Sequence, residues 1–159
     1  MALTRSVNVA KLDIPTIEAV EADESLTQEA GAVVALSTLV GSLGLLFTNG
    51  LWAFIASILI GLAGWAIWAW LAAFIAEKVF NIQTTNVGEM LRATGYAYAP
   101  RMLGIIPFLG FVGWIWSLVA VIIGMRQAGE MTTMQAVITA VIGFIPAIIA
   151  LGIVTAILT

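Results

Sequence analysis

The stretch that decides the fold is AGAVVALSTLVGSLGLLFTNGLWAFIASILIGLAGWAIWAWLAAFIA, residues 30–76, which contains no charged side chain. A helix that crosses a hydrocarbon core of about 30 Å needs about 20 residues, so this run is too long for one crossing. Its only cluster of turn-forming residues is Thr48-Asn49-Gly50. The run therefore predicts two transmembrane helices, over 30–47 and over 51–76, and Glu77 and Lys78 mark the return to water.

The composition of the whole chain supports a membrane protein and argues against chemistry. Of 159 residues, 62% are hydrophobic and 9% are charged, whereas an ordinary soluble domain has about 25% charged residues. Cysteine and histidine are absent, which excludes thiol catalysis and disfavours zinc sites and imidazole-ligated haem. No nucleophile with a base and no phosphate loop is present, and a net charge of −3 offers no basic face for nucleic acid. We expect no enzyme activity, no cofactor, no metal and no nucleic-acid partner.

Residues 1–29 differ from the rest of the chain because they are acidic and have no apolar core segment. This pattern is not typical of a signal peptide. Asp13 followed by Pro15 predicts the start of a short amphipathic helix. The chain thus divides into an acidic cytoplasmic leader, 1–29, and a membrane domain, 30–159.

Two further helices are predicted from their capping residues. The polar stretch 81–94 predicts a short interfacial helix that begins at Asn86, with Glu89 as its capping-box partner and Arg92 beside Glu89. The uncharged stretch 131–159 predicts a last transmembrane helix, capped by Thr132 with Gln135.

The segment between them contains GYAYAPRMLGIIPFLG, residues 95–110, which places an arginine and two prolines in apolar chain. Residues 95–128 fit one span, two spans that turn near 107–113, or a re-entrant pair. Two crossings place all six basic residues on one side, as the positive-inside rule requires. A re-entrant pair also returns the chain to the side where it entered, so it places the basic residues in the same way. We therefore predict an all-α integral membrane protein with five transmembrane helices. The third and fourth form a short kinked hairpin, the N-terminus is cytoplasmic and the C-terminus lies outside.

Several residues are candidates for topology, structure or partner binding. Pro100 and Pro107 bend the backbone, and Arg101 can extend its guanidinium to the cytoplasmic headgroups. Arg101 and Arg126 could instead form an ionic cluster with Glu77 that binds an ion or a lipid headgroup. Trp65, Trp68 and Trp70 lie deep in the second predicted span, where they either pack helices or face lipid, or stack on a pigment, quinone or sterol. The full set of candidates is Gly95, Tyr96, Tyr98, Pro100, Arg101, Pro107, Gly110, Arg126, Glu77, Trp65 and Trp68.

These segments resemble the Yip domain family (Ypt/Rab-interacting membrane proteins) in its short prokaryotic form. The similarity lies in LDIPTIEAVEADESL (12–26), in GYAYAPRMLG with PFLG (95–110), and in WSLVAVIIGMRQA (116–128). The resemblance implies a five-span helical bundle with a cytoplasmic N-terminus. Eukaryotic members are associated with Rab GTPases, vesicle traffic and the shaping of membranes.

The function that we expect is that of a non-catalytic scaffold or accessory subunit of a larger complex in a prokaryotic cytoplasmic membrane. The partners that we expect are the lipid bilayer and other integral membrane proteins, with a second copy of the chain as a further candidate. Two alternatives stay open: a small transporter or channel, and a membrane-shaping protein of the Yip type.

Overall fold

The computed structural model describes the backbone of residues 1–106 and 108–158, and of the side chains those up to residue 143 (except residue 107) together with Ile145 and Ile149. All secondary structure in these residues is helical. The α-helices are α1 (Ala2–Ala10), α2 (Ile14–Ala22), α3 (Thr27–Gly41), α4 (Leu43–Thr48), α5 (Gly50–Lys78), α6 (Val87–Tyr96), α7 (Leu109–Ala128) and α8 (Thr133–Leu158). A 3-10 turn, Glu24–Leu26, precedes α3, and a 3-10 helix, Ala99–Ile105, separates α6 from α7.

The predicted helix starts are confirmed by their capping hydrogen bonds. The Thr16 amide donates to the Asp13 carboxylate at 3.1 Å at the start of α2, and Pro15 lies in the first turn. Asn86 and Glu89 form a reciprocal capping box at the start of α6. The amide of Thr132 donates to the side chain of Gln135 at 2.8 Å before α8. Local sequence therefore determines where these helices begin, because each cap satisfies amides that have no partner inside the helix.

The first apolar stretch forms two helices where the sequence predicted one. The predicted turn is present, since α5 begins at Gly50 with φ of 82°. However, α3 ends at Gly41, and α4 follows after Ser42. The Ser42 hydroxyl donates to the Thr38 carbonyl at 2.6 Å, a side-chain bond that competes with the helical backbone pattern. With 15 residues, α3 is about 22 Å long.

Two helices in the described part of the chain, α5 and α7, are long and apolar enough to cross a membrane, and Thr133–Gly143 of α8 is a shorter apolar segment. In the most apolar window of α5 only 28% of the residues are buried within the protein, and in that of α7 only 33%. Large apolar side chains such as Trp52, Trp70 and Phe111 are correspondingly exposed. Such a surface is unusual for a soluble monomer.

Residues 87–105, here called the central segment, lie between α3, α5 and α7. Close contacts at small residues allow this. A Cβ atom on Gly95 would lie 2.9 Å from the Ala30 Cβ atom of α3, and one on Gly124 would lie 3.2 Å from the Ala93 carbonyl oxygen. Met90, Ala93 and Tyr96 are fully buried. The helix predicted over 81–94 is present as α6, and α2, α3, α5 and α7 pack against it, while its position at a membrane interface stays a prediction.

Candidate functional site

The 95–110 stretch is where the central segment bends and packs most tightly. The backbone of the 3-10 helix Ala99–Ile105 lies against α3, since a Cβ atom on Gly104 would be 2.7 Å from the Gly41 carbonyl oxygen. On the other side, a Cβ atom on Gly113 of α7 would be 2.3 Å from the Pro100 carbonyl oxygen. The prolines and glycines of this stretch therefore give it an architectural role. Pro107 lies outside the described residues, so its contribution to the bend stays a prediction.

Arg101 lies at the edge of a cleft of about 320 Å³ between α3, the 3-10 helix Ala99–Ile105 and the start of α7. Its guanidinium carbon lies 4.0 Å from the centre of the Tyr98 ring, a cation–π contact that orients the side chain. Ser37, Thr38 and Ser42 of α3 bring hydroxyl groups to the same cleft. Gly110, another sequence candidate, also lines it.

The depth of Arg101 differs from the prediction that it reaches the surface marked by Lys78. The carbonyl oxygen of Arg101 would lie 2.6 Å from a Cβ atom on Gly41. The next residue, Ser42, accepts a hydrogen bond at its hydroxyl from Ser57 of α5, at 2.9 Å. Ser57 and Lys78 belong to the same helix and are separated by about 30 Å of it. Arg101 is therefore nearer to the turn at Asn49 than to Lys78.

A second polar cluster fixes the leader to the membrane domain. Glu29 at the start of α3 accepts two hydrogen bonds from Arg5 of α1, at 2.9 and 3.2 Å. It also accepts one from the hydroxyl of Tyr96, at 2.5 Å. The Tyr96 hydroxyl, followed by the Arg5 guanidinium, lowers the pKa of Glu29, because both stabilise the charged carboxylate.

Arg92 links the central segment to the leader through hydrogen bonds from its guanidinium. Its side chain is 4% exposed, and its Nε and Nη2 atoms both donate to the Glu21 carbonyl, the former at 2.7 Å. Its Nη1 atom donates to the Thr27 hydroxyl at 3.2 Å. The expected neighbour Glu89 is instead engaged in the capping box with Asn86. Arg92 thus binds two positions of the leader at once.

Glu21 itself is in an unfavourable position for a charge. Its Oε2 atom is buried without a hydrogen-bond partner among the described atoms. Burial, together with the nearby carboxylates of Glu89 and Glu18, raises the pKa of Glu21 to about 7. Repulsion between like charges and loss of water both favour the protonated form.

The leader also contacts α7 at two levels. The Trp116 indole donates to the Ala10 carbonyl at 2.6 Å, and the Gln127 amide donates to the Glu18 carboxylate at 3.0 Å. The first of these contacts places Trp116 beside α1. None of these leader contacts had a signal in the sequence, because their partners lie up to 109 positions apart.

The remaining candidates lie apart from one another. Glu77 pairs with its neighbour Lys78 at 2.5 Å, and the Nε atom of Arg126 donates to Gln127 at 3.1 Å. About 20 Å of α7 separates Arg126 from Gly113, the residue that contacts Pro100. Arg101, Arg126 and Glu77 are therefore not brought together in an ionic cluster.

Trp65 and Trp68 pack helices together. Trp65 is 8% exposed, and its indole donates to the Thr94 hydroxyl at 3.1 Å and to the Leu91 carbonyl at 3.2 Å. Trp68 lies against α8, where a Cβ atom on Gly143 would be 2.0 Å from its Nε1 atom. Trp65 thus joins α5 to α6, and Trp68 joins α5 to α8.

The long apolar helices, the unburied apolar surface and the tightly packed central segment together define an all-helical, membrane-associated protein. The family model described as the Yip1 domain matches residues 18–156. The chain belongs to the Yip1 domain family, which confirms the resemblance drawn from its sequence. No curated protein and no solved structure matches the chain.

Proposed function

We propose that this protein is a non-catalytic, multi-pass membrane protein that acts as a scaffold or accessory subunit of a larger membrane complex. In this proposal five transmembrane helices cross a prokaryotic cytoplasmic membrane, with the N-terminus cytoplasmic and the C-terminus outside. The positive-inside count of the sequence supports this arrangement. Among the six basic residues, Arg101 is the one exception to this count, because it lies nearer to the turn at Asn49 than to Lys78.

The observation that carries the scaffold proposal is an exposed aromatic pair in the C-terminal third of α5. Trp70 and Phe74 stack with their ring centres 5.6 Å apart, and they are 52% and 45% exposed. Both rings extend from the longest apolar helix and away from the packed interior. Aromatic residues are enriched at the centres of protein–protein interfaces, so this pair suits contact with another membrane protein.

The test is co-purification from the native membrane. The tagged protein is extracted in mild detergent, and proteins that elute with it in stoichiometric amount are identified. We expect an integral membrane partner that is retained by the parent protein and lost from a Trp70→Leu/Phe74→Leu variant. Trp52→Leu is the matched control, because Trp52 is 82% exposed but lies at the start of α5. A parent protein that elutes without any partner would contradict the proposal.

The topology is tested separately with single cysteines, since the chain has none of its own. Thiols introduced at Gly129 and Thr159 should react with a membrane-impermeant reagent from opposite sides of the membrane. Reaction of both from one side would exclude a single crossing of the last predicted span, and with it the five-span arrangement.

A further inference from the structure

The cleft beside Arg101 gathers polar groups that the protein leaves without partners. The Ser37 and Thr38 hydroxyl oxygens and the Arg101 Nε atom are buried and have no hydrogen-bond partner among the described residues. Ser37 is 0% exposed, so bulk water does not hydrate it in this structure. Buried polar groups in proteins are nearly always satisfied. The Thr38 hydroxyl lies against Gly61 of α5, whereas Ser37 and Arg101 line the cleft, and their two unsatisfied atoms point to a ligand.

The charge of Arg101 is likewise not neutralised by the protein. The ion pairs in the described part of the chain are Arg5 with Glu29 and Lys78 with Glu77, and neither includes Arg101. The Tyr98 ring orients the guanidinium but carries no formal charge. An arginine without an anion is costly in an apolar environment, so the missing partner is an anion.

The shape and chemistry of the cleft favour a phosphate group. A guanidinium presents parallel N–H donors that match two phosphate oxygens, and serine and threonine hydroxyls add single donors. The glycines at 41, 104 and 110 line the cleft and add no side chain to it. Its volume of about 320 Å³ is far above the roughly 10–15 Å³ that one water molecule needs, so a phosphate group fits.

The surroundings of the cleft favour a lipid as the source of the phosphate. Ile105, Ile106 and Phe111 follow the cleft along the chain and are 53%, 47% and 69% exposed. Acyl chains would cover such a surface. Trp114, which lines the cleft, has the amphipathic indole that is typical of headgroup depth.

We infer that this cleft binds the phosphate of an anionic phospholipid headgroup. The Arg101 guanidinium and the Ser37 hydroxyl donate hydrogen bonds to its oxygens. Under the proposed topology the site lies in the outer half of the membrane, because Arg101 is nearer to the turn at Asn49 than to Lys78. A bound anionic lipid would explain why a basic residue is tolerated there.

The experiment is native mass spectrometry of the full-length protein in detergent, titrated in turn with phosphatidylglycerol, phosphatidylcholine and inorganic phosphate. The parent protein should retain one phosphatidylglycerol with several-fold preference over phosphatidylcholine, whose choline brings a second positive charge to Arg101. Arg101→Gln should weaken phosphatidylglycerol binding at least about tenfold, since hydrogen bonds to charged groups are among the strongest in proteins. Arg126→Gln is the matched control and should bind as the parent does.

Ser37→Ala keeps the test decisive if Arg101→Gln fails to fold. Because no described protein group bonds to the Ser37 hydroxyl, this variant should fold and bind phosphatidylglycerol a few-fold more weakly. Three results would each overturn the inference. They are unchanged binding in Ser37→Ala, equal weakening in Arg126→Gln and Arg101→Gln, and no retained phosphatidylglycerol in the parent. Binding of inorganic phosphate alone that depends on Arg101 would support the phosphate site and overturn the lipid as its source.

Discussion

The contact between Arg92 and the leader offers the sharpest test of how this protein is assembled. The proposed change is Arg92→Lys, which retains the positive charge. Two nitrogen atoms of Arg92 donate to the Glu21 carbonyl, and a third donates to the Thr27 hydroxyl. A lysine ammonium can reach one of these acceptors but cannot reproduce the fixed fork of a guanidinium.

The size of the effect follows from these contacts. Since Nε and Nη2 share one acceptor oxygen, the substitution removes the equivalent of about one hydrogen bond from a charged donor. Such bonds contribute about 1.5–3 kcal/mol. The population in which the leader is detached should therefore rise about 10- to 150-fold, at about 1.4 kcal/mol for each factor of ten.

The assay uses a single thiol as a reporter of detachment. Val20 of α2 is 1% exposed, so a Val20→Cys background should react with a water-soluble maleimide only when the leader opens. When reclosing is faster than labelling, the labelling rate is proportional to the open population. Arg92→Lys should raise this rate by the factor given above.

Two controls separate detachment of the leader from general unfolding. Lys78→Arg should leave the rate unchanged, because Lys78 pairs with its sequence neighbour Glu77. A thiol placed instead at Thr139, which is fully buried in α8, should react at the parent rate in the Arg92→Lys background. An unchanged rate at Val20, or an equal increase at Thr139, would refute the reasoning.

Two further predictions concern packing and pH. Gly113→Ala should lower the thermal unfolding midpoint because its Cβ atom would lie 2.3 Å from the Pro100 carbonyl oxygen. Gly64→Ala meets nothing within 4 Å and should hold or raise the midpoint, since alanine favours a helix over glycine by up to about 1 kcal/mol; equal losses in both variants would contradict this. The folded protein raises the pKa of Glu21 from 4.5 to about 7, so it binds more protons than the unfolded chain between these values, and stability should fall as pH rises through that window. Glu21→Gln should flatten the fall in the unfolding midpoint between about pH 5 and pH 8, and an unchanged slope would assign the dependence to other groups.

The helix starts were predictable because each depends on a few neighbouring residues. Asp13 with Pro15, Asn86 with Glu89, and Thr132 with Gln135 each satisfy amides within three positions of themselves, so the pattern is readable without the fold. The break at Ser42 was missed. A serine inside an apolar helix gives no reliable sign of whether its hydroxyl will bond to the backbone.

The positions of the charged side chains could not be predicted. A three-residue spacing placed Arg92 beside Glu89, but the fold brings the Glu21 carbonyl to Arg92 from 71 positions away. Nothing in the sequence indicated that the Glu21 carbonyl and the Thr27 hydroxyl of the leader would provide the hydrogen bonds of Arg92.

The sequence by itself determined that the chain is helical, membrane-associated and a member of the Yip1 domain family, because uncharged length, local caps and family motifs are properties of neighbouring residues. The tertiary structure decided that 95–110 is a close-packed bend, that the leader is fixed by Arg92 and Glu29, and that Arg101 lies in a cleft with Ser37 and Thr38. These features depend on contacts between residues far apart in the chain. Such contacts form only when close approach at the glycines brings the helices together, and hydrophobic patterning alone does not specify that approach.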